Sequence, residues 1–174
     1  MTHLTELPVQ RVQFYLTAPY PCSYLPGREA RSKVATPASA IDAAVFGELA
    51  RQGFRRSGHY VYRPRCDGCA ACLPVRVRVA DFRPRRSQRR CQAANADLDS
   101  VLRGLEFVEA HYLLYRRYQA VRHAGGGMDA DDREQFRAFL LSSQVDSALV
   151  EFRQDGRAVM VSLVDRLLDG LSAV

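Results

Sequence analysis

Three cysteines within seven residues, Cys66-Asp67-Gly68-Cys69-Ala70-Ala71-Cys72, constrain this chain more than any other feature. The C-x2-C-x2-C spacing lets one turn of backbone aim several thiolates at a common point, the form taken by metal and iron–sulfur ligand loops. Gly68 helps the chain curl, and Pro74 ends the loop. A second segment, Tyr20-Pro21-Cys22-Ser23-Tyr24, offers a fourth ligand. The expected ligand set is therefore Cys22, Cys66, Cys69 and Cys72, converging on one metal ion or iron–sulfur cluster. The alternative is a tight loop of reduced thiols, because spacing alone does not fix a ligand set. Five cysteines is an odd count, and three of them are crowded together. That argues against a secreted disulfide framework and for a reducing cytosol.

A chain of 174 residues suits one domain of ordinary size or two small ones, and 47% apolar residues suffice for a core. No apolar run approaches the roughly 18 residues that a membrane span needs. Residues Met1 to Gln13 contain no apolar stretch of the secretory kind, so a cytoplasmic location is expected.

Charge is divided along the chain. Residues 1–91 carry 16 basic and 6 acidic side chains, whereas residues 92–174 carry 9 and 13. Two functional regions with those boundaries are expected, a basic one followed by a mildly acidic one. Of the 25 basic residues only Lys33 is a lysine, which reads first as a compositional bias of the genome. The sharpest cluster is Arg83-Pro84-Arg85-Arg86-Ser87-Gln88-Arg89-Arg90. Such a run makes a local positive field and can hold several phosphates in bidentate fashion, with RNA the foremost polyanion. On a helix, Arg85 with Arg89 and Arg86 with Arg90 would form two phosphate clamps four residues apart. A solvated helix face is the alternative.

Periodicity supports an α+β fold. Ser39 to Gly53 reads as a helix with Ser39 as cap, Asp42 three residues on, and Ile41, Val45, Phe46 and Leu49 on its apolar face. His59 to Arg63 alternates as a strand. Val75-Arg76-Val77-Arg78-Val79 alternates more strictly, so the cysteine loop is predicted to join two strands. Glu106 to His123 carries Phe107, Tyr112, Leu113, Tyr115 and Tyr118 at helical spacings, and Gly125-Gly126-Gly127 breaks it. Asp129 or Asp131 should start a further helix bearing Phe136, Phe139 and Leu140. Ala148 to Arg153 and Ala158 to Asp165 then read as strands joined by the turn Gln154-Asp155-Gly156-Arg157. A third strand is predicted from near Leu167. Two helices followed by such a meander are similar to the first half of a GNAT-type acyltransferase, and the chain is expected to stop before the second half.

Several segments taken together resemble a known family. They are Gln13-Phe14-Tyr15, Tyr20 to Pro26, Gly53 to Gly58, Tyr62 to Cys69, Cys72 to Arg76, Arg86 to Arg90, Tyr115 to Gln119, His123 to Met128 and Val161 to Asp165. They look like the bacterial aspartate/glutamate leucyltransferases, relatives of the eukaryotic arginyl-tRNA–protein transferases. The resemblance covers nearly the whole chain. It implies an N-terminal cysteine-bearing domain followed by a partial GNAT-like domain. The implied enzyme belongs to the N-degron pathway and moves Leu, or alternatively Arg, from a charged tRNA to the α-amine of proteins that begin with Asp or Glu. Two departures accompany it: the family continues past Val174, and Cys91 to Asn95 is less basic than the family pattern.

The sequence agrees with that chemistry. An aminoacyl ester is already activated, so no cofactor and no covalent nucleophile are needed. There is no G-x-S-x-G and no Ser-His-Asp spacing of the hydrolase kind. Asp165 in its strand and His123 at its helix end are the candidate proton handlers, against simple strand-terminating and helix-capping roles. Arg55, Arg56, Arg76 and Arg78 are candidates to hold the substrate carboxylate, with solvent exposure the alternative. The tyrosine stripe of residues 112, 115 and 118 reads as core rather than as a stacking surface for tRNA. Two rivals remain: a non-enzymatic tRNA- or RNA-binding module with a metal site, and an iron–sulfur redox sensor.

Overall fold

Two antiparallel sheets organise the chain, each built where alternating side chains find an apolar layer to cover. The computed structural model describes residues 11–123 and 132–173. In the first sheet β1 (Gln13–Leu16), β4 (Ser32–Thr36), β6 (Tyr60–Pro64) and β5 (Arg55–Ser57) lie side by side in that order. A short ribbon of β2 (Tyr20–Pro21) and β3 (Glu29–Ala30) stands beside it. Helix α1 (Ala43–Arg51) covers one face of the sheet, packing Phe46 and Leu49 with Ile41 onto Ala35, Val61 and Phe54. Asp42, not Ser39, caps this helix: its carboxylate accepts the Val45 amide at 2.9 Å. A short 3-10 turn, Ala38–Ala40, occupies the predicted first turn. The carboxylate is the more favourable partner for the positive end of the helix. Gly53, just past the helix, takes φ +84°, as a helix stop requires.

The second sheet has the order β10 (Gly170–Ala173), β9 (Arg157–Leu167), β8 (Ser147–Gln154), β7 (Asp99–Arg103). Asp155 and Gly156, with φ of +50° and +76°, make the β8–β9 turn that the Asp-Gly pair predicts. Strand β9 runs on through Leu167, so the third strand of the meander begins at Gly170 and not near Leu167. Strand β7 lies outside the expected elements, since its Asp-Ser-Val-Leu-Arg sequence alternates weakly and only Val101 is partly covered. Helix α3 (Glu109–Arg122) and the short α4 (Arg133–Phe136), which continues as a π-turn through Leu141, pack over this sheet. Phe107, Tyr112, Tyr115, Phe136 and Phe139 interlock with ring centroids 5.2–6.4 Å apart. Tyr112 is therefore core, while Tyr118 is 54% exposed. Asp132 caps α4; the alternatives Asp129 and Asp131, and the Gly125–Gly127 run, lie outside the described residues.

The first core does not stop at the charge boundary. Val145 completes it and Leu167 packs against it, so residues of the C-terminal half close the layer beneath α1. The segment between the two sheets is different. Val75, Val77 and Val79 are 91%, 61% and 85% exposed and pair with no strand, which corrects the predicted strand there. Strict alternation marks a strand only where a neighbouring edge accepts it. The cysteine loop thus leads from β6 into an extended, unpaired stretch. It then enters α2 (Arg86–Ala94), which buries none of its side chains.

Gly58 joins β5 to β6 with φ +58°, and a Cβ there would lie 2.4 Å from the Ala138 carbonyl oxygen. At Gly156, with φ +76°, a Cβ meets nothing within 4 Å. Both Gly→Ala changes bear the cost of a left-handed residue, about 1–3 kcal/mol. Gly58→Ala must also displace backbone, so in urea unfolding its midpoint should fall further than that of Gly156→Ala. Equal midpoints would mean that the β5–β6 turn and the π-turn are not packed as described.

Candidate functional site

A fully buried charge pair lies between the sheets. Arg56 of β5 and Asp165 of β9 are each fully buried. The Arg56 Nε donates to Asp165 Oδ2 at 2.9 Å and a terminal nitrogen donates to Oδ1 at 2.6 Å. That second nitrogen also reaches the Ser147 hydroxyl at 3.3 Å. The other terminal nitrogen donates to the Gly58 and Ser142 carbonyls at 2.6 and 3.3 Å. Ser147 completes the carboxylate by donating to Oδ1 at 2.6 Å. All five guanidinium N–H groups have acceptors, as burial of such a charge requires. The candidate proton handler Asp165 and the candidate carboxylate holder Arg56 are thus each other's partner in a closed network.

Arg55, the neighbour of Arg56 on the opposite face of β5, is exposed and lies 5.3 Å over the Tyr62 ring. Arg76 and Arg78 lie on the extended segment and are exposed, with Arg78 paired to Asp81 at 3.1 Å. Their exposure follows from the missing strand: no sheet face is present to bury either residue.

The arginine run continues from there. Arg85 is the N-cap of α2, where the Gln88 side chain accepts its amide at 2.7 Å, so it stands outside the helix proper. Arg86 and Arg90 sit four apart on the helix, and Arg89 turns back to the Pro84 carbonyl at 2.6 Å. Arg86 and Arg90 therefore share one face of the helix. Arg85 with Arg89 is not a helical pair. Four cations at the positive end of a helix oppose its dipole, and Arg86 and Arg90 repel one another. With no side chain of α2 buried, that repulsion is left to solvent or to an external anion.

A cluster that sequence reasoning missed lies under α3. His111 is 3% exposed, and its Nε2 is 2.5 Å from Glu151 Oε2. Glu151 also accepts from Arg153, and Arg103 lies 3.5 Å away. Burial pushes this carboxyl up, but the bonds from Arg153 and His111 outweigh it and hold the group below the usual carboxylate range. An ionised Glu151 only accepts, so His111 Nε2 carries the proton. His111 Nδ1 is buried with no hydrogen-bond partner among the described residues. The only sequence signal was a charged residue at an inward position of β8. His123, the second candidate proton handler, is exposed at the end of α3, 3.4 Å from the Tyr118 hydroxyl.

The cysteines do not assemble as expected. Cys66 and Cys69 face each other across an isolated antiparallel bridge. Cys22 sits on the β2–β3 ribbon, its amide bonded to the Arg28 carbonyl at 2.8 Å, and Cys72 is exposed. Between ribbon and loop stands an ion pair, Arg31 to Asp67 at 3.2 Å. Among the described residues no group of three or more Cys, His, Asp or Glu side chains is gathered to hold a metal. Tetrahedral ligation needs four donors at one point, so these residues do not fit a resident metal or cluster. Among the same residues, no helix is long and apolar enough to cross a membrane.

Known proteins share this sequence in order. The family profile described as arginine-tRNA-protein transferase, N terminus, matches residues 20–90, and the profile for its C terminus matches residues 110–174. An aspartate/glutamate leucyltransferase of Thiobacillus denitrificans is 59% identical over 172 residues, 99% of this chain and 72% of that protein. One from Chromobacterium violaceum is 58% identical over 174 residues, all of this chain and 72% of the relative. One from Pseudomonas fluorescens is 44% identical over 171 residues, 98% and 72% of the two chains.

Two measurements check the buried pairs. Asp165→Ala leaves the Arg56 charge uncompensated and should lower unfolding stability by about 3–5 kcal/mol. The paired change Arg56→Met/Asp165→Leu should cost far less, and equal losses would refute the ion pair. Glu151 is held below its unfolded value, so its contribution is present above the usual carboxylate range and lost as pH falls through the folded value. The stability gap between wild type and Glu151→Gln should therefore be full at pH 7 and shrink on acidification below about 4, as read by urea unfolding. A pH-independent gap would contradict the ionised pair.

Proposed function

The chain belongs to the arginine-tRNA–protein transferase family, and from that premise we propose that it moves leucine from Leu-tRNA to the α-amine of proteins beginning with Asp or Glu. The observation that carries this reading is the ordered match of both family profiles, together with relatives at 44–59% identity that bear the name aspartate/glutamate leucyltransferase. The enzyme is an aminoacyltransferase. Its setting in this reading is the cytoplasm, where charged tRNA is found.

The reaction is the attack of a neutral α-amine on the ester carbonyl of the charged tRNA. An amide bond forms, the ester C–O bond breaks, and the ribose hydroxyl leaves with the proton. The α-amine titrates near 8, so a modest proton acceptor suffices. The ester supplies the activation, and no metal or cofactor takes part in this scheme. His123 is the candidate acceptor that reaches solvent. The two helices and the β8–β9–β10 meander support a GNAT-like layout for the C-terminal half, with a register shift at Phe152/Arg153 in β8.

Both substrates call for cations. Arg55, Arg76 and Arg78 are the surface arginines available to an acidic N-terminal residue. Arg85, Arg86, Arg89 and Arg90 form a strip suited to tRNA phosphates and not to base edges. An unburied, self-repelling helix end gains most from a polyanion and reads no sequence.

Two experiments test the reading. Incubated with labelled Leu-tRNA or Arg-tRNA, the protein should transfer Leu to peptides starting with Asp or Glu and not to those starting with Lys. Transfer to Lys-initiated peptides alone would overturn the assignment, and Arg transfer would move it within the family. Arg89→Ala/Arg90→Ala should weaken tRNA binding and flatten its log–log salt dependence by about one to two units. Binding of the acidic peptide should hardly change. Unchanged affinity and slope would reduce the run to a solvated surface.

A further inference from the structure

The face of the first sheet turned away from α1 is not polar, as a solvated face of an antiparallel sheet ordinarily is. The register sets this out. Phe14, Ala35, Val61 and Arg56 are paired across the strands and point toward α1. Their neighbours Tyr15, Val34, Tyr62 and Arg55, also paired, therefore point the other way, and Tyr60 joins them two residues along β6. Tyr20 reaches over from the β2–β3 ribbon to the Ser32 hydroxyl at 2.7 Å. Tyr24 follows it and lies close enough to Tyr62 to act on its phenol.

Five of the chain's eight tyrosines thus share one surface. They cover Val34, which is 3% exposed, yet Tyr15, Tyr20, Tyr24 and Tyr60 remain 48%, 40%, 67% and 40% exposed. The Tyr60 and Tyr62 rings lie 5.2 Å apart. Burial, aided by the surrounding phenols, pushes both hydroxyls above the usual tyrosine value, so they stay neutral and put no negative charge on the surface. Cations stand at its rims: Arg55 over Tyr62 at one edge, and Arg65 lining a shallow groove with Tyr15 at the other.

We propose that this tyrosine face is a stacking platform for unpaired nucleobases, with Arg55 and Arg65 taking the adjoining phosphates. Exposed π-faces accept any base, and cations at the rim follow the backbone. A base-paired stem hides its base faces in its own stack, so only a single-stranded segment fits. The rival occupant, an acidic protein N-terminus held through Arg55, has one carboxylate for Arg55 and no run of flat faces for five tyrosines, and the experiment below separates the two. The proposal rests on the tRNA reading above and locates on this sheet the unpaired end that carries the amino acid. The arginine strip 85–90 would then hold the paired stem.

The test uses the full chain, a tRNA with its unpaired 3′ nucleotides, and the same tRNA trimmed of them. Wild-type protein should bind the intact molecule at least about five-fold more tightly. Tyr15→Leu/Tyr60→Leu should remove that advantage, and Tyr15→Phe/Tyr60→Phe, which keeps the rings, should retain it. Nitration of the wild-type protein gives a readout independent of folding in the variants. Intact tRNA should protect Tyr15 and Tyr60 from tetranitromethane, and trimmed tRNA should not. Equal affinity for both tRNAs, or equal nitration with both, overturns the platform while leaving tRNA binding intact. Loss of acidic-peptide binding with tRNA binding unchanged assigns the face to the protein substrate and also overturns it. Failure of wild-type protein to bind either tRNA removes the tRNA reading itself, and the platform with it.

Discussion

A single buried ion pair, Arg56 with Asp165, ties together elements 109 residues apart and sets the relation between the two sheets. Taking two charges out of water costs several kcal/mol per ion unless every donor and lone pair is met. Here the five N–H groups of Arg56 are met by a carboxylate, a hydroxyl and two carbonyls. Those acceptors come from the β5–β6 turn, the π-turn after α4, the start of β8 and the end of β9. The pair is directional where an apolar contact is not, so it fixes register as well as distance. The apolar contacts around it, Val145 and Leu167 against the α1 core, add area to a geometry that the ion pair makes unique. A surface pair, Arg51 with Asp169 at 2.9 Å, continues the seam outward.

Electrostatics divides the remaining surface by purpose. In the N-terminal half Arg31, Arg51, Arg56 and Arg78 pair with carboxylates, while an arginine run stands on a helix without a buried face. Such an arrangement lowers the stability of the free protein through self-repulsion and raises its attraction for a polyanion. In the C-terminal half Arg153 pairs with Glu151, which the His111 ring also meets, Arg166 with Asp146 and Arg133 with Glu109. His111 with Glu151 holds α3 on its sheet.

Several elements were legible because their signal is local. The Asp-Gly pair demands two left-handed residues, and the structure places Asp155 and Gly156 there. The apolar face of α1 and the break at Gly53 depend on residues within one or two turns. Readings failed where the deciding partner is distant. Val75 to Val79 alternates like a strand but finds no edge to pair with. Ser39 and Asp42 both offer caps, and the packing of Ile41 against the sheet selects the second. The spacing of Cys66, Cys69 and Cys72 is compatible with ligation, but Cys72 is exposed and no three ligating side chains gather among the described residues. Arg56 and Asp165 were each singled out as chemical residues, and neither segment carries a mark that names the other.

Sequence alone determined the family, the charge division, the helix–sheet alternation and the presence of an arginine run, because these are properties of composition, of local periodicity and of motifs read in order. Tertiary structure decided which charges are spent internally and which remain free. It buried Arg56 against Asp165 and His111 against Glu151, left Arg55 and the arginine strip at the surface, and gathered five tyrosines from three separate segments onto one sheet face. The physical reason is that burial and pairing are set by neighbours across the sheet and between the sheets. Those neighbours are chosen by register and topology, which no window of sequence contains.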